Sequence, residues 1–202
     1  MNVHYLSNFE KEKSKVYTPI GIRNLFEEAV KFKKGDTEAV FNDKHLNKNL
    51  IELYHAGFLA LAIKKWIGKE YEIYPCDSPD TYFLDIKTNE AFPVEIMELY
   101  FPNETFDNDY QKLAEHIFKT KGSINFPTCH LLISSRLIVE NFNVSKLCQE
   151  IVKFIWNFER IWFSIYTESI KQWTFFEIFP VSNSNDKDYL AFNLDNDKNL
   201  YY

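Results

Sequence analysis

Residues 71–99 read YEIYPCDSPDTYFLDIKTNEAFPVEIMEL, and this stretch carries the clearest β-strand patterns of the chain. Three apolar runs within it, at residues 71–76, 82–87 and 92–99, predict strands. The compact turn Thr88-Asn89-Glu90 separates the last two runs, so these two strands are predicted to form a β-hairpin.

Helical patterns lie on both sides of this hairpin. Thr18 is a suitable N-cap, Pro19 suits the first helical position, and Gly35 suits a C-terminal stop, which together predict a helix near residues 19–34. The remaining predicted helices cover residues 44–67, 109–121 and 145–158, and the remaining strands cover 129–133, 160–166 and 172–179. This mixture predicts an α/β fold in which helices flank a mixed central β-sheet.

The same patterns suggest how the chain is organised. Residues 1–43 are predicted to form an N-terminal arm and helix, with a short linker at 36–43. Residues 44–180 are predicted to form the α/β domain, and the Asn- and Asp-rich residues 181–202 a loosely held polar tail. The strand at 172–179 is expected at an edge or in a return hairpin.

Composition narrows the range of functions. The 202 residues carry a formal net charge of −6, which argues against nucleic-acid binding by bulk electrostatics but leaves a local basic patch or a metal ion open. The three cysteines are far apart without CxxC spacing, so they predict buried thiols rather than a zinc site or a disulfide framework. No apolar stretch approaches eighteen residues and no signal-peptide pattern opens the chain, so we expect no membrane association and a cytoplasmic location.

Two carboxylates on neighbouring predicted strands suggest a site. Asp80 opens one strand of the hairpin and Glu95 lies in the next, and converging carboxylates form an oxygen-ligand site suited to Mg²⁺ or Mn²⁺. A plainer interpretation of Asp80, after Pro79, is a turn or cap residue. Glu95, between Val94 and Ile96, must be paired, neutral or metal-bound if that face of the strand is covered, and is merely solvated if the face is open.

The spacing of these residues resembles the motif of the PD-(D/E)xK nuclease superfamily, whose members have the restriction-endonuclease-like fold. The matching positions are Pro79-Asp80, fourteen intervening residues, and Glu95-Ile96-Met97. The resemblance covers roughly residues 44–180. It implies a central mixed sheet and hydrolysis of nucleic-acid phosphodiester bonds with Mg²⁺ or Mn²⁺ as cofactor.

The resemblance also implies a ligand set. Asp80 and Glu95 would hold the metal together with the backbone carbonyl of Ile96, and Glu52 on the preceding helix would be the additional acid that many members carry. On its own merits Glu52 is expected to be a solvated helix residue. His55, three residues later, is expected at the helix surface, where it could support the site.

One motif position departs from the superfamily, because Met97 stands where a lysine is usual. Some members carry the lysine on the following helix, where Lys112 would then stabilise the developing charge, with Lys119 and Lys121 as later alternatives. The other explanation is that catalysis has been lost. The chain would then be a protein-binding or regulatory module, for instance in a bacterial defence or toxin system.

A third interpretation is a structural or homodimeric protein with its two aromatic strands, 160–166 and 172–179, at an interface.

Lysines cluster near the ends of the predicted helices. Helix C-termini favour cations through the backbone dipole, which explains each cluster without any ligand. Should the clusters converge, they would form a track for phosphates, and exposed aromatic side chains could stack on unpaired bases. The lysines concerned are Lys31, Lys33, Lys34, Lys64, Lys65, Lys69, Lys112, Lys119 and Lys121, and the aromatic residues are Trp66, Phe101 and Tyr110.

Overall fold

The computed structural model describes residues 16–43, 48–99, 108–126, 128–135, 142–180 and 189–197. The chain divides into two compact units, the first ending at Val94 and the second beginning at Glu95. Most of the predicted arm, together with Phe101, lies outside the described residues. The domain boundaries expected from the sequence, at residues 43 and 180, stay predictions.

In the described residues, the first unit contains the helices α1 (Pro19–Phe32), α2 (Thr37–Phe41) and α3 (Lys48–Ile67). The predicted start of α1 is confirmed, since Thr18 Oγ1 accepts a hydrogen bond of 3.1 Å from the backbone N–H of Gly21. The linker expected at 36–43 instead contains α2. It forms because the Asp36 carboxylate caps it, accepting a 2.9 Å hydrogen bond from the N–H of Ala39.

Close packing joins α1 to α3. The fully buried ring of Phe26 makes edge-to-face contacts with Tyr54 and Phe58, at centroid distances of 5.0 and 5.2 Å. A β-carbon at Gly57 would lie 2.7 Å from Cγ2 of Ile22. Glycine at this position therefore allows the two helices their close approach.

The first unit also contains antiparallel strands. Strand β1 (Tyr71–Pro75) pairs with β2 (Thr81–Asp85), and β2 pairs with the beginning of β3 (Ala91–Leu99) in a register that sets Thr81 opposite Val94. The predicted hairpin is thus confirmed. Its turn is fixed by Asp85, whose carboxylate accepts hydrogen bonds from the backbone N–H groups of Lys87 and Thr88.

Among its described residues, the second unit contains two α-helices and the remaining strands. The helices are α4 (Tyr110–Lys121) and α5 (Val144–Ile151), and a short 3-10 helix spans Glu168–Ile170. The strands are β4 (His130–Ser135), β5 (Arg160–Thr167), β6 (Gln172–Phe179) and β7 (Tyr189–Asn193). Strands β4 and β5 run parallel, whereas β5–β6 and β6–β7 are antiparallel.

The seven strands follow one another from β1 to β7 in their hydrogen bonding. Parallel and antiparallel pairs both occur, so the predicted α/β class with a mixed sheet is confirmed. In the part of the chain that the structure describes, no helix is long and apolar enough to cross a membrane.

Two sequence predictions in the second unit are wrong. The helix expected at 145–158 ends at Ile151, because the chain turns there and the indole N–H of Trp156 donates a 2.8 Å hydrogen bond to the Ile151 carbonyl. Within the predicted polar tail, residues 189–193 form β7, so β6 has a strand on each side. Of the two positions expected for β6, it therefore takes the return hairpin, with β5, and not the edge. The run Leu190-Ala191-Phe192 is apolar, and all three residues are buried or half-buried in this strand.

The core of the second unit is one apolar cluster that joins α4 and α5 to the strands. Met97 and Leu99 of β3 contribute to it, as do residues of both helices and of β4, β5 and β6. Its buried members from the helices are Tyr110, Leu113, Ala114, Ile117, Leu147 and Ile151, and those from β4 to β6 are Leu131, Ile133, Ile161, Phe163 and Ile178.

Candidate functional site

Glu95 is a buried carboxylate in the middle of β3, with 5% of its surface exposed. Successive side chains of a strand point to opposite faces, so Glu95 shares a face with Met97 and Leu99. These two neighbours belong to the apolar cluster beneath α4. Of the two alternatives that the sequence leaves open, the structure shows the covered face, so the charge of Glu95 needs a partner.

Lys121 provides that partner from the end of α4. Its Nζ lies 2.7 Å from Oε2 of Glu95, within both hydrogen-bond and ion-pair distance. Both side chains are largely withdrawn from solvent, with 17% of the Lys121 side chain and 6% of the Glu95 side chain exposed. An ion pair in such surroundings is screened much less by salt than one at the surface.

The apolar stripe of α4 explains why Lys121 points inward. Tyr110, Leu113, Ala114 and Ile117 are the buried residues of this helix, and Lys121 follows Ile117 by four positions. Residues four apart lie on the same helix face. The lysine therefore continues the buried stripe by one turn, which brings its ammonium to the strand that carries Glu95.

Lys112, the residue first expected to assist catalysis, lies at the opposite end of α4. Its side chain is 73% exposed and its Nζ lies 2.9 Å from Oδ2 of Asp109. Asp109 is the N-cap of α4, and the hydrogen bond that it accepts from the backbone N–H of Lys112 is the main cause that lowers its carboxyl pKa. Lys121 follows Lys112 by nine positions, a distance of about 14 Å along the helix axis.

Asp80 belongs to the first unit and is half-buried just before β2. Its carbonyl accepts a 3.0 Å hydrogen bond from the N–H of Cys76, which closes the loop between β1 and β2. The next residue, Thr81, lies opposite Val94, the residue that precedes Glu95 along β3. Asp80 is thus fixed by the loop that leads into β2.

Glu52 and His55 depart from the sequence expectation. Both were expected at the surface of α3, yet Glu52 is 8% exposed and His55 is fully buried. The imidazole of His55 stacks on the ring of Phe41 at a centroid distance of 5.4 Å. Helix α3 is apolar around most of its circumference and is therefore buried on most sides, so Glu52 and His55 are buried with it.

The predicted metal ligands stay a prediction. Within the described ranges, no group of three or more His, Cys, Asp or Glu residues is arranged to hold a metal ion. Ile96, expected to contribute its backbone carbonyl, is 4% exposed within β3. Cys76 and Cys129 are buried free thiols as predicted, and Cys148 is half-buried.

A separate polar groove of about 530 Å³ lies in the second unit between the start of α4 and the outer face of α5. Lys146 places its amine 5.9 Å from the centre of the Tyr110 ring, and the Tyr110 hydroxyl accepts a 2.7 Å hydrogen bond from the N–H of Asn143. The groove mixes one lysine with Asp109 and Glu150, so it has no strong preference for either sign of charge.

Comparison of the chain with protein-family models, with curated proteins and with solved structures finds no match in any of the three.

Proposed function

We propose that the chain is a metal-dependent nuclease of the PD-(D/E)xK type, in which Lys121 performs the role usually taken by the motif lysine. The observation that supports this is the distance of 2.7 Å between the Lys121 amine and the Glu95 carboxylate. The motif requires an ammonium beside its second acid, and Lys121 supplies one from the following helix. Lys112, at the other end of α4, is replaced by Lys121 in this proposal.

The proposed donors are of the chemical type that the implied cation prefers. The carboxylates of Asp80 and Glu95 and the backbone carbonyl of Ile96 are oxygen ligands, the type that Mg²⁺ and Mn²⁺ prefer, and Glu52 is the further acid of the proposed set. A carboxylate offers about four lone-pair positions, so Glu95 can accept from an ammonium and still face a cation. The bound metal would polarise the phosphodiester and lower the pKa of the attacking water.

Lys121 would act on the charge that develops on the phosphate. An ammonium carries three N–H donors, so one amine can hold Glu95 and also donate to a phosphate oxygen. Its position in a largely dry region strengthens both interactions and avoids reorganisation during the reaction. Glu95 in turn fixes the amine, because a lysine side chain otherwise has many rotamers.

The test is a cleavage assay with Mg²⁺ or Mn²⁺ on single-stranded DNA, duplex DNA and RNA. We expect Lys121→Met, Glu95→Gln and Asp80→Asn each to reduce cleavage by about 10²-fold or more, as for removal of a charge-stabilising donor. Lys112→Met is the matched control on the same helix and should keep nearly full activity.

Full cleavage by Lys121→Met in a folded sample would exclude the role of Lys121. Cleavage unaffected by Glu95→Gln and Asp80→Asn would point to another site or to a contaminant.

A second candidate function is a non-catalytic module that binds a protein partner or another copy of the chain. The same ion pair favours it, because Lys121 neutralises Glu95 without any metal. The burial of Met97 in the apolar cluster also favours it, since that position serves packing. No cleavage with any divalent metal would support this function over the first.

A further inference from the structure

The end of α3 carries an exposed aromatic side chain among lysines. Trp66 is 54% exposed, and the amine of Lys65 lies 5.3 Å from the centre of its ring. The other three tryptophans, Trp156, Trp162 and Trp173, are all buried. Exposure of a large apolar indole face to water is unfavourable in free energy, and a ligand with a flat face that stacks on it would remove this exposure.

Neighbouring residues extend this feature into a surface. Ile67 is 57% exposed, Lys69 is exposed, and a 3.0 Å hydrogen bond from the N–H of Ile86 to the Glu70 carbonyl brings the β2–β3 turn alongside. That turn adds an exposed isoleucine and an exposed lysine. We call this the α3-end surface, and it consists of Lys65, Trp66, Ile67, Lys69, Ile86 and Lys87.

The charge of the α3-end surface is opposite to that of the whole chain. Residues 64–70 contain three lysines and one glutamate, whereas the protein has a net charge of −6. The glutamate, Glu70, lies 3.5 Å from the amine of Lys64, which is not part of the surface. Lys65, Lys69 and Lys87 supply three ammonium groups to this surface, and Glu90 is an exposed carboxylate further along the same turn. This excess of lysine favours an anionic partner.

We propose that the α3-end surface binds a single-stranded nucleic acid, with a base stacked on Trp66 and backbone phosphates beside Lys65 and Lys69. A base offers a flat π-face and carries its phosphate a short distance away, which matches an indole with an amine at its edge. Paired bases are stacked inside a duplex and do not offer this face. The proposal names a substrate class for the nuclease and rests on that function, but the binding step itself needs no metal.

The test measures binding by the full chain to a short labelled oligothymidylate in the presence of EDTA. Loss of one stacking contact should weaken binding of Trp66→Ala by roughly 5- to 150-fold. Trp66→Phe should keep most of the affinity, because phenylalanine retains a face for stacking. Phe32→Ala is the matched control, since Phe32 is also exposed at a helix end with the amine of Lys33 5.9 Å from its ring.

Two further measurements, of tryptophan fluorescence and of the salt dependence of binding, use the same samples. Oligothymidylate should quench the tryptophan fluorescence of the wild type but not that of Trp66→Phe, because the remaining indoles are buried. Lys65→Gln should lower the dependence of log K on log salt concentration by about 0.7, the value for one phosphate contact with a single strand.

Equal affinity of Trp66→Ala and wild type, or equal binding of a duplex of the same length, would overturn the proposal. So would a spectral change of Trp66 on anionic phospholipid vesicles without quenching by the oligonucleotide, which would make this a membrane-binding surface. Binding in EDTA without cleavage in Mg²⁺ would leave the surface proposal standing and remove the nuclease. If Trp66→Ala leaves both cleavage and binding unchanged, the nuclease proposal stands and the surface proposal falls.

Discussion

Breaking the ion pair between Lys121 and Glu95 should destabilise the second unit. Removal of one member of a buried pair typically costs about 3–5 kcal/mol, because the other charge stays buried without compensation. Lys121 keeps 17% of its side chain in water, which lets an unpaired charge recover part of its hydration. We therefore expect Lys121→Met and Glu95→Gln each to lower the free energy of unfolding by about 2–3 kcal/mol.

The double variant separates the pair from its surroundings. A methionine and a glutamine in place of the two charges leave no uncompensated ion, so the double variant should be more stable than the sum of the single changes predicts. The interaction energy from the cycle should lie at about 1–3 kcal/mol. Lys112→Met with Asp109→Asn forms the matched surface cycle, in which about 0.5 kcal/mol or less is expected for the charge interaction.

Urea unfolding followed by tryptophan fluorescence is the suitable assay. Trp156, Trp162 and Trp173 all lie in the second unit, the unit that contains the ion pair, whereas Trp66 lies in the first. A Trp66→Phe background therefore makes the signal report on the second unit alone. Single variants that cost less than about 0.5 kcal/mol, with an interaction energy near zero, would refute the reasoning, because a pair of that value behaves as a surface pair.

Three further predictions concern other positions. Burial, with the nearby charge of Arg160 as a second cause, lowers the pKa of His130 to about 3. In the unfolded state the imidazole has a pKa near 6.5, so as pH falls the unfolded chain takes up this proton before the folded one does. The free energy of unfolding therefore decreases below about pH 6.5, by about 2 kcal/mol at pH 5. In urea unfolding measured over a range of pH, His130→Gln should lose less stability at acidic pH than the wild type. The β-carbon added by Gly57→Ala would contact Ile22, so we expect this change to lower the free energy of unfolding in urea by about 1–3 kcal/mol. The loss should be smaller in an Ile22→Ala background, and an equal loss in the wild-type and Ile22→Ala backgrounds would count against this contact. Met97→Lys places the lysine that is usual in the motif inside the apolar cluster, so it should lower the melting temperature without raising cleavage. A variant that is as stable as the wild type and more active would contradict this.

Local signals explain the parts of the fold that the sequence predicted. The N-cap and the proline at the start of α1 act within one turn, and Gly35 supplies the positive φ of 91° just past its end. The turn between β2 and β3 depends on Asp85 and on Asn89, whose φ is 57°. Such features require no knowledge of distant residues, so they can be read along the chain.

Predictions failed where distant contacts decide the structure. The stripe of residues 145–158 continues a helical period past Ile151, yet Phe154 and Trp156 instead form an aromatic group with Phe118 of α4, at centroid distances of 4.7 and 5.1 Å. Strand β7 forms where β6 offers a partner to a short apolar run that lies within an otherwise Asn- and Asp-rich segment. In both cases tertiary packing overrides local preference.

The choice of lysine depends on the face of α4 rather than on distance along the sequence. Lys112 is nearer to the motif in sequence, but Gln111 and Lys112 both lie off the buried stripe, whereas Lys121 continues it. Reading the stripe from Tyr110 through Ile117 one turn further would have identified Lys121.

The same geometry accounts for Met97. Met97 packs in the apolar cluster, whereas Lys121 keeps 17% of its side chain in water while it pairs with Glu95. An ammonium held at Met97 would have to be fully desolvated, whereas one at Lys121 reaches Glu95 and keeps some hydration. Physical chemistry therefore favours an ammonium from the helix over one from the strand, whichever function the pair serves.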